Sequence, residues 1–409
     1  MPSPEPEVGR AFDQPEPPSP SGRLVAIDAL RGVAVLAVLI SHLPFSTALS
    51  PGAAVEGGLS EGAERWFRFA SVYGATGVDL FLVISGFCIH LSWAKRRDDQ
   101  ATIAFFGFWK RRLMRLYPPY AVALACSLGG LFVLYGVLGR VAGAGLAARF
   151  GYPSLSVLAV DLVALVLLIQ NFSSASLRIG NGVFWSLALE EQLYLLYFPL
   201  LAIRKRLGWG GAFAIVIAVT VGWRAIGATF FPGYLEWIDL GPARWLEWTL
   251  GALAVEAHLG RVTLPAWCRS FVVAVVVLGL AVVATQAQWF GRFARYSELA
   301  FAFGYFFLCN AACAAEATLR RSRIGLGLAF LGTFSYSLYL VQVPLIVVAK
   351  QIGLRVGLSG WAIIGLRAAV AIVGAYVFFR LFERPFLKRA AMVGERGAPT
   401  ERATLDRRR

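Results

Sequence analysis

Residues 24–43, LVAIDALRGVAVLAVLISHL, decide the class of fold. These twenty residues are almost all apolar, and a helix of that length can cross the hydrocarbon core of a bilayer. Arg31 and His42 lie eleven residues apart, so they share one helix face about 16 Å apart. Ionisable side chains inside a membrane usually line a functional path. The alternative is an arginine that reaches the membrane surface and a histidine that caps the helix.

The rest of the chain repeats this apolar pattern. It has 409 residues, 58% of them hydrophobic, and a mean hydropathy of +0.64. This composition excludes a soluble domain and predicts an all-α fold, a polytopic integral membrane helical bundle. The net charge of +15 comes from short basic clusters between apolar segments, so we expect a lipid bilayer around the chain and no nucleic acid partner.

The same basic clusters predict how many segments cross the membrane. Eleven apolar segments can be marked, but omitting 155–170, which is short and contains Asp161, places every cluster in the cytoplasm. We therefore predict about ten transmembrane helices and a re-entrant or interfacial helix near 155–170. The predicted location is the inner (plasma) membrane, with both termini cytoplasmic. A membrane domain at 24–387 would lie between a disordered Pro-rich tail, 1–23, and a disordered basic tail, 388–409.

Six short motifs follow one another along these segments. They are DALRG at 28–32 with His42, GVDLFLVISGF at 77–87, RRLMRLYP at 111–118, WSLALEEQLY at 185–194, SYSLYL at 335–340 and FERPF at 382–386. In this order they resemble the membrane acyltransferase-3 family, and the resemblance covers roughly residues 24–387. It implies an enzyme that moves an acyl group, often acetyl from acetyl-CoA, onto hydroxyls of sugars or other envelope molecules. Acyl-CoA would be a co-substrate, and no bound cofactor or metal is expected.

His42 is the expected catalytic residue. The resemblance assigns the family's Arg/Lys-x10-His pattern, with its catalytic histidine, to Arg31 and His42. A neutral imidazole suits removal of a proton from an attacking hydroxyl, although an acyl-histidine intermediate stays open. Asp79 or Glu190 is expected to fix the imidazole tautomer, unless Asp79 only caps its helix. Many relatives carry a second histidine where this chain has Gln342, which cannot act as a base near neutral pH.

Acyl-CoA needs a cationic site for its phosphates. Arg112 and Arg115 lie three residues apart at the cytoplasmic start of a span, with Arg111 beside them, and guanidinium groups bind phosphates well. The alternative is an ordinary positive flank of a membrane helix. Arg31 is expected either to contact acyl-CoA on its path to His42 or to pair with Asp28.

A polar line along the span that begins near residue 184 predicts an acceptor path. Ser186, Glu190, Tyr194 and Tyr197 follow at steps of four, four and three, which favours Glu190 over Glu191 for a position facing a cavity, although the two adjacent acids could exchange catalytic roles. Further residues expected on this path are Trp185, Tyr336 and Gln342.

Other charged residues are given structural roles. The alternative role for Glu190 and Glu191 is structural, as ion-pair partners of Arg224 or Arg244. His90 and His258 are expected to be interfacial anchors, and Glu383 is expected to be structural.

The predicted function is acyl transfer from cytoplasmic acyl-CoA to a sugar hydroxyl of an envelope polysaccharide or glycolipid, such as an exopolysaccharide or a lipopolysaccharide. Two alternatives remain. One is acylation of a small secondary metabolite such as a macrolide, and the other is a proton-coupled transporter or flippase. No inverted repeat is apparent in the sequence, which counts against transport.

Overall fold

The computed structural model describes residues 24–44, 60–95, 105–132, 153–172, 181–230, 240–289 and 296–387. Every element in these ranges is a helix, which confirms the all-α class for that part of the chain. The tails predicted at 1–23 and 388–409 lie outside it.

Thirteen α-helices are described. Their bounds are α1 Val25–His42, α2 Glu61–Gly74, α3 Gly77–Ala94, α4 Phe105–Phe132, α5 Leu155–Leu167, α6 Trp185–Phe230, α7 Gly241–His258, α8 Phe271–Gln286, α9 Ser297–Ala314, α10 Glu316–Arg321, α11 Arg323–Thr333, α12 Ser335–Arg355 and α13 Gly360–Phe378. A π-helix, Phe379–Glu383, continues α13. Helix α6 is broken at Gly208, whose positive φ of 67° divides it into two helical arms.

Six helical segments of the described chain are long and apolar enough to cross a membrane. They contain α1, α2 with α3, α6, α9, α12, and α13 with its continuation. Helix α7 is not among them because Arg244, Glu247 and Glu256 interrupt it, and α4 begins with several basic residues. The structure thus supports a membrane protein, while the count of about ten spans stays a prediction. The 155–170 segment forms the short apolar helix α5, and its membrane placement also remains a prediction.

Close contact between α3 and α7 positions the centre of the bundle. A Cβ at Gly86 would overlap the backbone carbonyl of Trp248, and a Cβ at Gly251 would overlap that of Val83. Only glycine at these two positions lets the two backbones approach so closely. This approach brings the face of α3 that carries Ser85 against the indole of Trp248.

Candidate active site

A cavity of about 140 Å³ lies between α1, α3, α4, α6, α11, α12 and the π-helix. Three guanidinium groups and two carboxylates line it, from Arg31, Arg112, Arg115, Glu190 and Glu383. Hydroxyl groups complete the polar lining, from Ser85, Ser186, Tyr194, Thr333, Ser335, Tyr336 and Tyr339. Charged groups in a membrane protein usually mark a substrate or ion path, so this cavity is the candidate active site.

Arg31 reaches the cavity from α1. Its Nη2 donates to Cys88 Sγ at 3.2 Å, and its Nη1 lies 3.7 Å from Asp28 Oδ1, the partner expected from the sequence. His42 lies at the other end of the same helix and is not among the residues that line the cavity. One helix therefore presents Arg31 to the cavity and carries His42 beyond it.

The arginines of α4 differ in their positions. Arg112 and Arg115 line the cavity, whereas Arg111 is exposed and does not. Residues three apart share a helix face, while a neighbouring residue points about 100° away. The Arg112 guanidinium lies 5.3 Å from the centre of the Tyr194 ring, a cation–π distance that holds it at the cavity wall.

Glu190 and Glu191 have separate surroundings. Glu190 accepts hydrogen bonds at Oε1 from the Ser85 hydroxyl, at 2.6 Å, and from the Tyr194 hydroxyl. Glu191 lines a smaller cavity of about 10 Å³ beside Tyr117, which Glu190 also lines. Glu190 is thus the carboxylate that faces the larger cavity.

His42 takes its tautomer from its own helix. Its Nδ1 lies 2.7 Å from the carbonyl oxygen of Val38, and the Ser41 hydroxyl lies 3.1 Å from the same nitrogen. A carbonyl oxygen can only accept, so in the neutral imidazole Nδ1 carries the proton and Nε2 carries the lone pair. The sequence-based expectation gave this role to Asp79 or Glu190, and the contacts described for those two carboxylates lie elsewhere.

Asp79 belongs to a buried ion network. Its Oδ1 lies 2.6 Å from Arg244 Nη2, and Arg244 Nη1 lies 2.6 Å from Glu298 and 3.2 Å from Glu247. Arg224 contacts the same two glutamates. The network joins α3, α6, α7 and α9. Arg224 and Arg244 were the alternative structural partners expected for Glu190 from the sequence. In the structure they pair with other carboxylates.

The residues expected on the acceptor path are divided between the cavity and the surrounding core. Ser186 lines the cavity and its hydroxyl contacts that of Tyr339, and Tyr336 lines it while donating to the Leu116 carbonyl at 2.9 Å. Gln342 is wholly buried, and neither amide atom has a hydrogen-bond partner in the described chain. Trp185 begins α6, and its carbonyl accepts from Asn171. Neither Gln342 nor Trp185 lines the cavity.

Sequence reasoning missed three features of this site. No role was predicted for Ser85 from the sequence, although its spacing from Phe81 and Cys88 puts all three residues on one face of α3. Glu383 lines the cavity and accepts from the backbone N–H of Ser337 at 3.2 Å. The π-helix turns Glu383 inward, and no sequence signal predicted that π-helix.

His90 also departs from the expectation. It is wholly buried, with Nε2 2.7 Å from Glu256 Oε1 and Nδ1 3.1 Å from the Tyr197 hydroxyl. The predicted role as an interfacial anchor is therefore wrong. Within the described ranges, no group of three or more His, Cys, Asp or Glu side chains is arranged to hold a metal ion.

The model of the acyltransferase-3 family, described as an acyltransferase domain, matches residues 24–380. The chain therefore belongs to the acyltransferase-3 family. The match covers every element that lines the cavity except the last residues of the π-helix.

Individual relatives match shorter stretches. The chain is 32% identical over 203 residues to a Staphylococcus aureus protein named "Putative O-acetyltransferase SACOL0978", covering 48% of this chain and 28% of the relative. It is 27% identical over 173 residues to the peptidoglycan O-acetyltransferase OatA of Listeria monocytogenes, covering 42% and 23%. The chain thus spans less than a third of the length of either relative. No solved structure matches it.

Proposed function

We propose that the protein is an integral membrane O-acyltransferase. It moves an acyl group, acetyl in the first instance, from cytoplasmic acyl-CoA to a sugar hydroxyl of an envelope polysaccharide or glycolipid. The convergence of Arg31, Arg112 and Arg115 on one cavity that also contains Glu190 carries this proposal. A relative named a peptidoglycan O-acetyltransferase supports a glycan as the acceptor.

The arginines suit the anionic donor. Guanidinium groups form paired hydrogen bonds with phosphate oxygens, and Arg112 and Arg115 face the same cavity. The acyl group is attached through the long pantetheine arm of CoA. His42 lies eleven residues along α1 from Arg31, about 16 Å, a distance of the same order as that arm. In this arrangement the phosphates stay at the inner side and the thioester reaches His42.

His42 provides the base. Its Nε2 lone pair takes the proton of the acceptor hydroxyl as that oxygen attacks the thioester carbonyl. A C–O bond forms, the C–S bond breaks, and the CoA thiolate takes the proton back from the imidazolium. The products are the ester and CoA. Attack by Nε2 itself would instead give an acyl-histidine that the hydroxyl then cleaves. The acceptor approaches from the outer side of the plasma membrane, and both termini are cytoplasmic.

Transfer of labelled acetyl tests the proposal. The protein is reconstituted in lipid with labelled acetyl-CoA and an envelope-glycan extract, as wild type, His42→Ala and Arg115→Ala. Arg68→Ala is the matched control, because Arg68 is exposed and its described ion pair is with Glu64 four residues earlier in the same helix. We expect label on the glycan with wild type and control, and strongly reduced label with the other two. Full transfer by His42→Ala would contradict the mechanism. If the wild-type protein neither transfers nor hydrolyses the acetyl group with any acceptor, that result would favour a transporter.

A further inference from the structure

Glu190 is held in an unusual way for a carboxylate in a membrane protein. Both of its hydrogen bonds reach the same oxygen, Oε1, and come from the neutral hydroxyl groups of Ser85 and Tyr194. Within the described part of the chain, Oε2 has no hydrogen-bond partner and is not occluded, and no ion pair includes Glu190. Glu190 lines the large cavity as well as the small one beside Tyr117, and Oε2 is the oxygen of its carboxylate that has no acceptor role in the described contacts.

The Ser85 hydroxyl is fixed as a donor. It accepts a hydrogen bond from Trp248 Nε1 at 3.3 Å and gives its single proton to Glu190. The close approach of Gly86 to the Trp248 backbone fixes this part of α3 against α7. Tyr194, the second donor, packs under the Arg112 guanidinium. The direction of the carboxylate is therefore set by three helices, α3, α6 and α7.

The charges around the cavity define what Oε2 can bind. Arg31, Arg112 and Arg115 line the same space as Glu190 and Glu383, so the three guanidinium groups outnumber the two carboxylates and disfavour a cationic ligand. An anion would be repelled by Glu190 itself. A neutral N–H or O–H group meets neither penalty, and its hydrogen bond to a carboxylate is stronger than one to a neutral acceptor.

We propose that Glu190 Oε2 binds a neutral hydrogen-bond donor of a substrate, and that Ser85 is the positioning residue that aims it. This inference rests on the proposed function, which supplies two sources of such a donor. One is the pantetheine arm of acyl-CoA, with its amide N–H and hydroxyl groups. The other is a hydroxyl of the acceptor. The role given to Glu190 is recognition of substrate, whereas proton removal stays with His42.

Steady-state kinetics with both substrates varied separately test this assignment. Ser85→Ala removes one of the two donors to Oε1, Tyr194→Phe removes the other, and Ser85→Thr keeps a hydroxyl. Ser92→Ala is the matched control, because Ser92 lies on the same helix, is exposed and donates to the Ile89 carbonyl. We expect Ser85→Ala to raise one KM about tenfold with a smaller change in kcat. Ser85→Thr should restore most of the affinity, and Ser92→Ala should match wild type.

The KM that rises identifies the ligand. A higher KM for acetyl-CoA, with weaker binding of CoA itself, assigns Oε2 to the pantetheine arm, and a higher KM for the glycan assigns it to the acceptor. Glu190→Gln must keep its amide oxygen on Ser85 and Tyr194, which turns its NH2 group toward the cavity. The same KM should therefore rise, and adding Ser85→Ala should change it less than twofold further.

Two results would overturn the inference while leaving the proposed function intact. In the first, Ser85→Ala and Tyr194→Phe are folded and leave both KM values unchanged. In the second, Glu190→Gln abolishes kcat with both KM values unchanged, which would make Glu190 a base. Failure of the wild-type protein to bind CoA or transfer acetyl is a different result, because it would contradict the proposed function itself.

Discussion

The Nδ1 atom of His42 lies 2.7 Å from the backbone carbonyl oxygen of Val38, one turn earlier in the same helix. This contact leaves the lone pair of the neutral ring on Nε2. It also separates two roles of the ring that substitutions can test independently, namely donation by Nδ1 and proton acceptance by Nε2.

Substitution of His42 by Asn should keep the donor and lose the base. The Asn Nδ2 group can replace Nδ1 in the bond to Val38, but it cannot accept a proton near neutral pH. We expect His42→Asn to fold like wild type and to lose about 10²- to 10⁴-fold in kcat, the usual contribution of a general base. Acetyl transfer and melting in detergent are the measurements. If His42→Asn keeps more than a tenth of wild-type turnover, His42 is not the base.

Arg115 and Arg111 give a matched pair on α4. Arg115 lines the cavity and Arg111 is exposed outside it, although the two lie only four residues apart. Loss of a guanidinium that binds a phosphate removes a charged hydrogen bond, so Arg115→Ala should raise the KM for acetyl-CoA at least tenfold. Arg111→Ala should change it less than threefold. Equal effects of the two variants would point to a general electrostatic attraction of the donor rather than a defined site.

Substitution of Asp79 should lower the stability of the protein, because Asp79 belongs to the buried ion network and its described ion pair is with Arg244. Its carboxylate and the Arg244 guanidinium are both almost wholly buried, so Asp79→Ala removes a buried acceptor from Arg244 Nη2, while Glu247 and Glu298 still pair with Arg244. The cost of losing this charged hydrogen bond is about 1–3 kcal/mol. We expect Asp79→Ala to lower the unfolding temperature in detergent, and Asp79→Asn, whose amide oxygen can still accept from Arg244, to lower it less.

Glu64→Ala is the control and should have little effect, because it removes only a 3.8 Å pair with the exposed Arg68. An inactive Asp79→Ala with wild-type stability would restore the idea that Asp79 orients His42.

The positions of Arg112 and Asp79 show which contacts can be predicted from the sequence and which cannot. The helical period alone places Arg112 and Arg115 on one face, and both line the cavity. The same period aligns Glu190 with Tyr194, one turn later, and the two are hydrogen-bonded. Contacts within one helix can thus be inferred from spacing.

Contacts between different helices could not be predicted from helical spacing. Arg244 is 165 residues from Asp79, and Ser85 is 105 residues from Glu190. Hydropathy and motif order do not say which faces of two helices meet. That depends on where small residues let backbones approach, as Gly86 and Gly251 do between α3 and α7. For this reason the sequence predicted that Asp79 or Glu190 orients His42, whereas in the structure Glu190 lines a cavity with Arg31 and Asp79 pairs with Arg244.

The glycine contact behind Ser85 gives a last prediction about the site. A Cβ at Gly86 would overlap the backbone carbonyl of Trp248, and a backbone cannot move aside as a flexible side chain can. Gly86→Ala should therefore push α3 from α7, weaken the bond from Trp248 to Ser85, and reduce both melting temperature and acetyl transfer. Gly279→Ala on α8 is the control, because a Cβ there meets nothing within 4 Å and alanine favours a helix by about 1 kcal/mol. It should leave activity unchanged and stability equal or higher. Wild-type behaviour of Gly86→Ala would mean that α3 and α7 do not pack as closely as described, and the aim given to Glu190 by Ser85 would lose its support.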